Sequence, residues 1–186
     1  MGELGARPSP SGRSGIRETG GMADQQGRKP TASPLRIVFV CSGNICRSPM
    51  AALVFREHLR RAGLGDAVHV SSAGMGPWHA GEPADPRARA TLERAGYPVD
   101  HVAAQIGEAD LDADLFLAAD TGHLRDLRRL VGDPDRVVLL REFDPTAPPG
   151  AEIPDPYYGD GDGFTDVLGM IERAMPGLLD WVRENR

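Results

Sequence analysis

The sequence predicts a three-layer α/β protein, in which helices cover both faces of a four-stranded parallel sheet. Short aliphatic runs alternate along the chain with longer segments of helical periodicity. This alternation is typical of parallel strands joined by right-handed crossovers. The length of 186 residues, 40% of them hydrophobic, is sufficient for one such domain.

The first strand and helix are the clearest elements. The β-branched run Leu35–Val40 has the composition of a buried strand. A helix follows whose apolar residues, from Met50 to Leu59, form a broad buried face, while Arg60 and Arg61 take the solvent side. Ser48 is suited to the N-cap of this helix and Pro49 to its first position.

Three further strands and two helices follow in alternation. The predicted strands are residues 68–70, 115–119 and 136–140. The helix after the second strand is expected to begin at Asp85-Pro86 and to end at Gly96, and the helix after the third to be capped by Asp120 and to reach about Val131.

The last predicted helix follows a proline-rich loop, residues 144–163. Its expected core face consists of Phe164, Val167, Leu168, Ile171, Met175 and Leu178. We expect Pro176 to kink or split this helix, because proline removes a hydrogen-bond donor and clashes with the preceding turn.

Composition excludes several classes of function. The net charge of −6 argues against broad binding to nucleic acid or to an anionic membrane, and no apolar run is long enough to span a bilayer. Two cysteines form neither a secreted disulfide framework nor a four-thiolate zinc site. No apolar segment near the start resembles a signal peptide, so we expect a cytoplasmic protein.

Residues 1–34 are predicted to be a disordered N-terminal extension, and residues 35–186 the folded domain. The extension is rich in glycine, proline and serine and has no apolar pattern, so it cannot bury enough surface to offset the entropy of ordering. Met22 lies within it and is a candidate start of natural translation.

The segment from Cys41 to Pro49 is a candidate anion-binding loop. It lies between the first strand and the first helix, where parallel α/β sheets bind ligands. Gly43 and Asn44 tolerate left-handed backbone angles, which allows successive N–H groups to point inward, next to a helix N-terminus. The candidate phosphate-binding residues are Ser42, Gly43, Asn44, Ile45, Cys46, Arg47 and Ser48.

The residue types in this loop predict phosphoryl transfer. The planar guanidinium of Arg47 can bind two phosphate oxygens, and Cys41 is expected below them, where inward amides and the helix dipole favour the thiolate. The hydroxyl of Ser48 can add a hydrogen bond to the sulfur. A nucleophile in this position predicts a cysteinyl-phosphate intermediate. A nucleotide-binding P-loop is excluded, since no Gly-Lys-Ser/Thr sequence follows.

Two motifs resemble those of the low-molecular-weight protein tyrosine phosphatases. The resemblance is to bacterial members of this family, and we expect an actinobacterial one. The first motif is Val40-Cys41-Ser42-Gly43-Asn44-Ile45-Cys46-Arg47-Ser48-Pro49-Met50-Ala51, and the second is Asp155-Pro156-Tyr157-Tyr158-Gly159. The resemblance extends from Leu35 to the C-terminus. It implies a four-stranded parallel sheet, phosphotyrosine-containing proteins as partners, inorganic phosphate or other oxyanions as ligands, and catalysis with neither metal nor cofactor.

The resemblance also implies roles for individual residues. Cys41 is the expected nucleophile, Arg47 the phosphate clamp, and Asp155 the general acid that later activates water. Asn44, Ser48, Ser72 and His101 are expected to hold the shape of the loop. Trp78 and Tyr157, and less clearly Tyr158, are expected to form aromatic walls of the substrate cleft, although Trp78 is equally compatible with covering a loop.

Two positions extend or depart from this pattern. A cysteine matching Cys46 can form a disulfide with the nucleophile in this family, so we expect a reversible Cys41–Cys46 bridge on oxidation. Many members carry glutamate where this chain has Ala52, and we expect a small loss of local stabilisation.

Three other functions fit the sequence less well than a phosphatase does. A thiol-dependent arsenate reductase requires a relay of further cysteines, which the chain lacks beyond Cys46. A non-catalytic phosphoprotein-binding module requires neither a thiolate nor an acid, so the joint presence of Cys41, Arg47 and Asp155 argues against this function. A zinc protein built on Cys41, Cys46 and His58 lacks a fourth ligand, and Arg47 would repel the cation.

Overall fold

The computed structural model of this protein describes residues 33–186. Its four strands are β1 (Leu35–Cys41), β2 (Val68–Gly74), β3 (Leu115–Ala118) and β4 (Val137–Leu139). Its four helices are α1 (Arg47–Arg61), α2 (Pro86–Arg94), α3 (Thr121–Leu130) and α4 (Gly161–Asn185). The predicted extension lies outside the described residues except for its last two positions, and so does the candidate start at Met22.

The predicted three-layer α/β fold is confirmed. All four strands pair in parallel, in the order β2-β1-β3-β4. Parallel pairing places their carboxyl ends at one edge of the sheet. The loops that follow β1, β2 and β3 therefore begin side by side, and β1 lies at the centre of that edge.

The two faces of the sheet bury different side chains of the same strands. Ile37 and Phe39 of β1 pack with apolar residues of α1, α2 and α4. Val38 and Val40, which point the other way, pack with Phe116 of β3 and with Leu127 of α3. Because both faces are covered at the centre of the sheet, β1 and β3 are largely apolar rather than alternating, whereas the edge strand β2 carries His69 and two serines.

The observed helix ends follow the predictions, with one exception. Asp85 and Asp120 cap α2 and α3, each accepting a backbone N–H two or three residues later. Gly96 ends the second helix with φ at 79°. The prediction of Ser48 as the N-cap of α1 and Pro49 as its first residue is wrong. Cys46 is the N-cap, the helix begins at Arg47, and the hydroxyl of Ser48 binds inside the preceding loop.

Helix α4 runs without interruption through Pro176, so the expected split is not observed. The proline ring faces solvent, and the neighbouring Met175 and Leu178 are fully buried, so packing holds the helix on both sides of the lost hydrogen bond. Gly177 passes so close to the backbone of Phe143 that a Cβ atom would lie 2.4 Å from its carbonyl oxygen. Within residues 33–186, none of the helices combines the length and apolarity that a membrane span requires.

Candidate active site

The anion loop turns away from the end of β1 and packs against the end of β2. Cys41, the last residue of β1, pairs with Gly74 at the end of β2. A Cβ atom on Gly74 would lie 2.9 Å from the carbonyl oxygen of Ser42 and 3.0 Å from the carbonyl carbon of Gly43. The loop therefore packs against bare backbone, and glycine is required at position 74 for this approach.

Asn44 is fixed in the strained conformation that curls the loop. Its φ of 58° is the only positive value among the non-glycine residues of the described range. The side-chain amide donates to Ser48 and to Ser72, each at 2.9 Å, and its oxygen accepts the N–H of Ala104. His101 Nε2 donates to the Asn44 carbonyl at 2.7 Å, and burial lowers the pKa of this histidine, so its neutral form makes the bond. Four partners hold one strained residue, as such a conformation requires.

Ser48 connects this support to the candidate nucleophile. Its oxygen lies 2.9 Å from Cys41 Sγ and 2.9 Å from the donating amide of Asn44. The hydroxyl accepts from Asn44, so its own hydrogen can go to the sulfur or, over a longer distance of 3.4 Å, to the carbonyl of Ala73. Cys41 is buried, with 3% exposure, and its sulfur can accept this hydrogen bond.

The backbone of the loop offers unused donors to the cleft. Within residues 33–186, no protein acceptor takes a hydrogen bond from the N–H groups of residues 42–46. Ser42, Gly43, Ile45 and Cys46 line the cleft above Cys41. Consecutive unpaired amides in a curled loop form a site for an oxyanion.

Arg47 completes this anion site, and three protein acceptors fix the orientation of its guanidinium. One terminal nitrogen, Nη1, donates to Asp120 Oδ2 and to the carbonyl of Ile153, each at 3.0 Å. The other, Nη2, lies 3.4 Å from Asp155 Oδ2. These contacts use three of the five guanidinium hydrogens, so Nε–H and one hydrogen of Nη2 remain for two oxygens of an anion.

Asp120 joins Arg47 to a buried histidine. Burial opposes ionisation of Asp120, but the bond from the His123 N–H and the charge of Arg47 prevail and lower the pKa of this carboxyl. His123 Nε2 lies 2.9 Å from Ser42 Oγ. Its Nδ1 is 3.0 Å from Asp120 Oδ1 but is misaligned for a hydrogen bond, and burial lowers the pKa of this imidazole.

Asp155 stands at the mouth of the cleft with 37% of its side chain exposed. One carboxylate oxygen accepts the backbone N–H of Tyr157, and the other faces Arg47. The segment that carries Asp155 has neither helix nor strand and enters α4 at Gly161. A carboxyl group in this position can exchange protons with a ligand in the cleft and with water.

The cleft has a volume of about 460 Å³ and brings most of the predicted site residues together. Its lining consists of Cys41, Ser42, Gly43, Ile45, Cys46, Arg47, Trp78, His79, Asp155, Tyr157 and Tyr158. Asn44, Ser48, Ser72 and His101 lie behind the loop. The ring of Trp78 both covers Gly76, where a Cβ would lie 2.2 Å from it, and lines the cleft, so the two interpretations of this residue are compatible.

The sequence interpretation missed three residues of this site. His79 lines the cleft beside Gly43, Asp120 was identified only as a helix cap, and His123 was not singled out. A signal for Asp120 exists, because it closely follows β3, whose carboxyl end lies beside that of β1. Nothing local in the sequence distinguishes His79 or His123.

The surroundings of Cys46 disfavour its thiolate, unlike those of an activated cysteine, whose pKa is lowered. Burial, reinforced by the negative charge of Asp85, raises the pKa of its thiol to about 12. Cys46 is therefore a protonated thiol at neutral pH. Within the described residues, no cluster of three or more histidine, cysteine or acidic side chains has the geometry to hold a metal ion.

The parallel fold and this loop define a class of protein: a phosphatase with an oxyanion cradle built over a cysteine. Residues 36–186 match the family model described as low molecular weight phosphotyrosine protein phosphatase. Two curated relatives are low molecular weight protein-tyrosine phosphatase A of Mycobacterium tuberculosis, 53% identical over 82% of this chain and 94% of that protein, and the Streptomyces coelicolor enzyme, 52% identical over 80% and 94%. The crystal structure of a protein tyrosine phosphatase from Entamoeba histolytica is also similar, with a TM-score of 0.77, 30% identity, and coverage of 81% of this chain and 98% of that one.

The chain belongs to the family of low molecular weight protein-tyrosine phosphatases. Its curated relatives include mycobacterial and Streptomyces enzymes, so the expected actinobacterial character is confirmed. It is a protein-tyrosine phosphatase, with phosphotyrosine as the substrate class and an active site that binds oxyanions.

Proposed function

We propose that this chain hydrolyses phosphotyrosyl proteins and aryl phosphates through a cysteinyl-phosphate, with Cys41 as nucleophile, Arg47 as phosphate clamp and Asp155 as general acid and base. The observation that carries the proposal is the position of Cys41 Sγ, 2.9 Å from the Ser48 hydroxyl on the floor of a cleft that Arg47 and Asp155 also line.

Binding of the phosphate is the first step. Loop N–H groups of residues 42–46 and the remaining donors of Arg47 receive its non-bridging oxygens, with the phosphorus above Cys41. Donors fixed before the substrate arrives need no reorganisation as charge develops on these oxygens. The thiolate then attacks phosphorus, an S–P bond forms, and the P–O bond to the aryl group breaks.

Asp155 supplies and then recovers a proton. In its protonated form it donates to the departing phenolate, which leaves poorly without a proton because its parent phenol has a pKa of ~10. The carboxylate that remains accepts a proton from water as the water oxygen attacks phosphorus. The S–P bond breaks, Cys41 returns to the thiolate, and inorganic phosphate leaves.

The cleft walls favour an aryl ring over a short alkyl chain. Trp78, Tyr157 and Tyr158 stand around the mouth with 69%, 40% and 89% exposure, and Ile45 adds an aliphatic contact. A flat ring between aromatic faces gains about 0.5–1.5 kcal/mol beyond the area it buries. We infer that phosphoserine, which lacks a ring, makes none of these contacts.

We also propose that Asn44, Ser48, Ser72 and His101 preserve the loop and that Cys46 protects the nucleophile by forming a reversible disulfide with it. The thiolate of Cys41 must stay reduced to react, which supports a cytoplasmic location. We propose that residues 35–186 form the catalytic domain and that residues 1–34 are an N-terminal extension of it.

Hydrolysis of p-nitrophenyl phosphate and of matched phosphotyrosine and phosphoserine peptides, in the presence of EDTA, tests the proposal. We expect turnover of the first two, none for Cys41→Ser, and retained phosphate binding by that variant. Arg47→Ala is expected to lose both turnover and phosphate binding. Activity that disappears with EDTA, or that Cys41→Ser retains, would contradict the mechanism.

A further inference from the structure

Arg87, in the first turn of α2, contacts the segment that carries Asp155 although it does not line the cleft. That segment, residues 155–159, has no regular secondary structure, and its internal hydrogen bonds are short-range. Upstream, the N–H of Ile153 donates to the carbonyl of Ala119, the residue that follows β3. The position of the residues beyond Ile153 therefore depends on side chains from elsewhere in the fold.

The guanidinium of Arg87 is itself firmly anchored. Nε and Nη2 donate to the two carboxylate oxygens of Asp85 at 3.1 and 2.9 Å. Asp85 is 8% exposed, and its own backbone N–H donates to the carbonyl of Ile45 in the anion loop at 2.8 Å. Arg87 is thus connected through one residue to the loop that holds the phosphate.

The same guanidinium then reaches the acid-bearing segment. Nη1 donates to the carbonyl of Gly159 at 3.2 Å, and Nη2 donates to the carbonyl of Tyr157 at 3.1 Å. Its carbon lies 5.6 Å from the ring centroid of Tyr157 and 4.7 Å from that of Phe164, a fully buried residue of α4. Hydrogen bonds and ring contacts together fix both the backbone and one aromatic wall.

We propose that Arg87 is a positioning residue that holds Asp155 and Tyr157 at a fixed distance from the anion loop. This inference rests on the proposed role of Asp155 as general acid. A donor of protons must stay within hydrogen-bond reach of the leaving oxygen, and a misplacement of about 1 Å can cost as much as a hundredfold in rate. Only a planar fork can bind Asp85 and two carbonyls together, so lysine cannot fully replace this arginine.

A role limited to stabilising α2 predicts different behaviour. In that case, loss of Arg87 lowers the thermal stability and slows all substrates equally. A positioning role predicts a loss that depends on how much the leaving group needs a proton. The two cases are separated by a series of aryl phosphates whose phenols span a wide range of acidity.

The experiment compares Arg87→Met, Arg87→Lys, Asp155→Asn and the double variant Arg87→Met/Asp155→Asn with the unmodified enzyme. Arg89→Met is the matched control, because Arg89 lies on the same helix and is exposed. The measurements are kcat/KM across the aryl phosphate series, the inhibition constant of inorganic phosphate, and the melting temperature. If Arg87→Met does not fold, Arg87→Lys provides the same comparison with the charge retained.

For Arg87→Met we expect a loss of about tenfold or more with the poorest leaving groups, about twofold or less with the best, and little change in phosphate inhibition. Arg87→Lys should be intermediate, Arg89→Met unchanged, and the double variant no slower than Asp155→Asn. Equal loss for all substrates, an unchanged profile, or additive effects in the double variant would overturn the inference. If Asp155→Asn lowers kcat/KM equally for all aryl phosphates, the acid assignment is overturned and this inference with it. If Asp155→Asn lowers kcat/KM more for the poor leaving groups while Arg87→Met changes none of the values, this inference alone is overturned.

Discussion

The carboxylate of Asp120 divides its two oxygens between a helix and the phosphate-binding arginine. Oδ1 accepts the backbone N–H of His123 and caps α3, while Oδ2 lies 3.0 Å from Nη1 of Arg47. The orientation of the Arg47 guanidinium therefore depends on the start of α3, which lies on the opposite face of the sheet from α1.

Replacing Asp120 by alanine removes the cap and the ionic partner together, and we expect the free energy of unfolding to fall by about 2–3 kcal/mol. Asp120→Asn keeps a capping oxygen, so it should lose about 1 kcal/mol less than alanine. Urea unfolding of both variants provides the measurement. Equal stability of the two variants, close to that of the unmodified enzyme, would show that the link contributes nothing.

The hydroxyl of Ser48 is expected to stabilise the Cys41 thiolate directly. A hydrogen bond to a charged group contributes about 1.5–3 kcal/mol, so Ser48→Ala should slow alkylation of Cys41 by iodoacetate at pH 6 by about tenfold or more. Ser71 of β2 is the control position, because its side chain makes no hydrogen bond among the described residues. An unchanged alkylation rate in Ser48→Ala would remove the hydroxyl from the mechanism.

The close approach at Gly74 predicts a large effect from a single methyl group. A Cβ there would lie 2.9 Å from Ser42 O and 3.0 Å from Gly43 C, both backbone atoms, so the anion loop must shift. We expect Gly74→Ala to weaken phosphate inhibition and to lower kcat/KM about tenfold or more, with a stability loss of about 1–3 kcal/mol. Gly107→Ala, where nothing lies within 4 Å, should behave as the unmodified enzyme. Phosphate inhibition and kcat/KM that match for the two variants would contradict the prediction.

Three histidines give the fold a defined pH dependence. Burial lowers the pKa of His58, His101 and His123 from the ordinary value of 6.5. Each therefore binds a proton more readily in the unfolded chain, so stability is complete above about pH 6.5 and decreases as the pH falls below it. Asp120 and Asp144, whose pKa values are lowered instead by hydrogen bonds and arginine charges that outweigh burial, lose their contribution only in a more acidic range.

The measurement is the urea concentration at the midpoint of unfolding between pH 7.5 and pH 5, which should decrease as the pH is lowered. His123→Gln should flatten this dependence, since the buried titrating group is gone. His69→Gln is the control, because His69 is exposed on β2. A midpoint that rises toward pH 5, or a slope equal in both variants, would contradict the assignment.

The proposed Cys41–Cys46 disulfide is expected to form slowly at neutral pH. A Cys41 sulfenic acid is resolved when the Cys46 thiolate attacks its sulfur and releases hydroxide. With the Cys46 pKa at about 12, its thiolate fraction is only about 10⁻⁴ at pH 8, and the rate of bridge formation should rise about tenfold per pH unit.

Mass spectrometry of peroxide-treated enzyme between pH 7 and pH 9 measures the disulfide against sulfinate and sulfonate at Cys41. Recovery of activity by dithiothreitol should increase with pH in the unmodified enzyme and be much smaller in Cys46→Ala, where only unreacted sulfenic acid remains reducible. Irreversible oxidation at every pH would exclude the bridge.

Local patterns in the sequence predicted the elements and the central loop. The run Leu35–Val40 predicted β1, Asp85 and Asp120 predicted the starts of α2 and α3, and the spacing of Cys41 and Arg47 predicted the anion site. Each of these signals depends on neighbours within a few residues, because strand composition, capping and loop curvature are local properties. The predicted cap at Ser48 was wrong for a tertiary reason: its hydroxyl is bound to Cys41 and Asn44.

By itself the sequence determined the parallel α/β fold, the phosphate-binding loop and the presence of an aspartate in a second motif. Only the tertiary structure decided which distant side chains support that loop: Asp120 below Arg47, His123 beside Ser42, and Arg87 against the segment of Asp155. These contacts form where strand ends and loops meet at one edge of the sheet. Their partners lie 70 or more residues apart, and no periodicity or local propensity records which of them will touch.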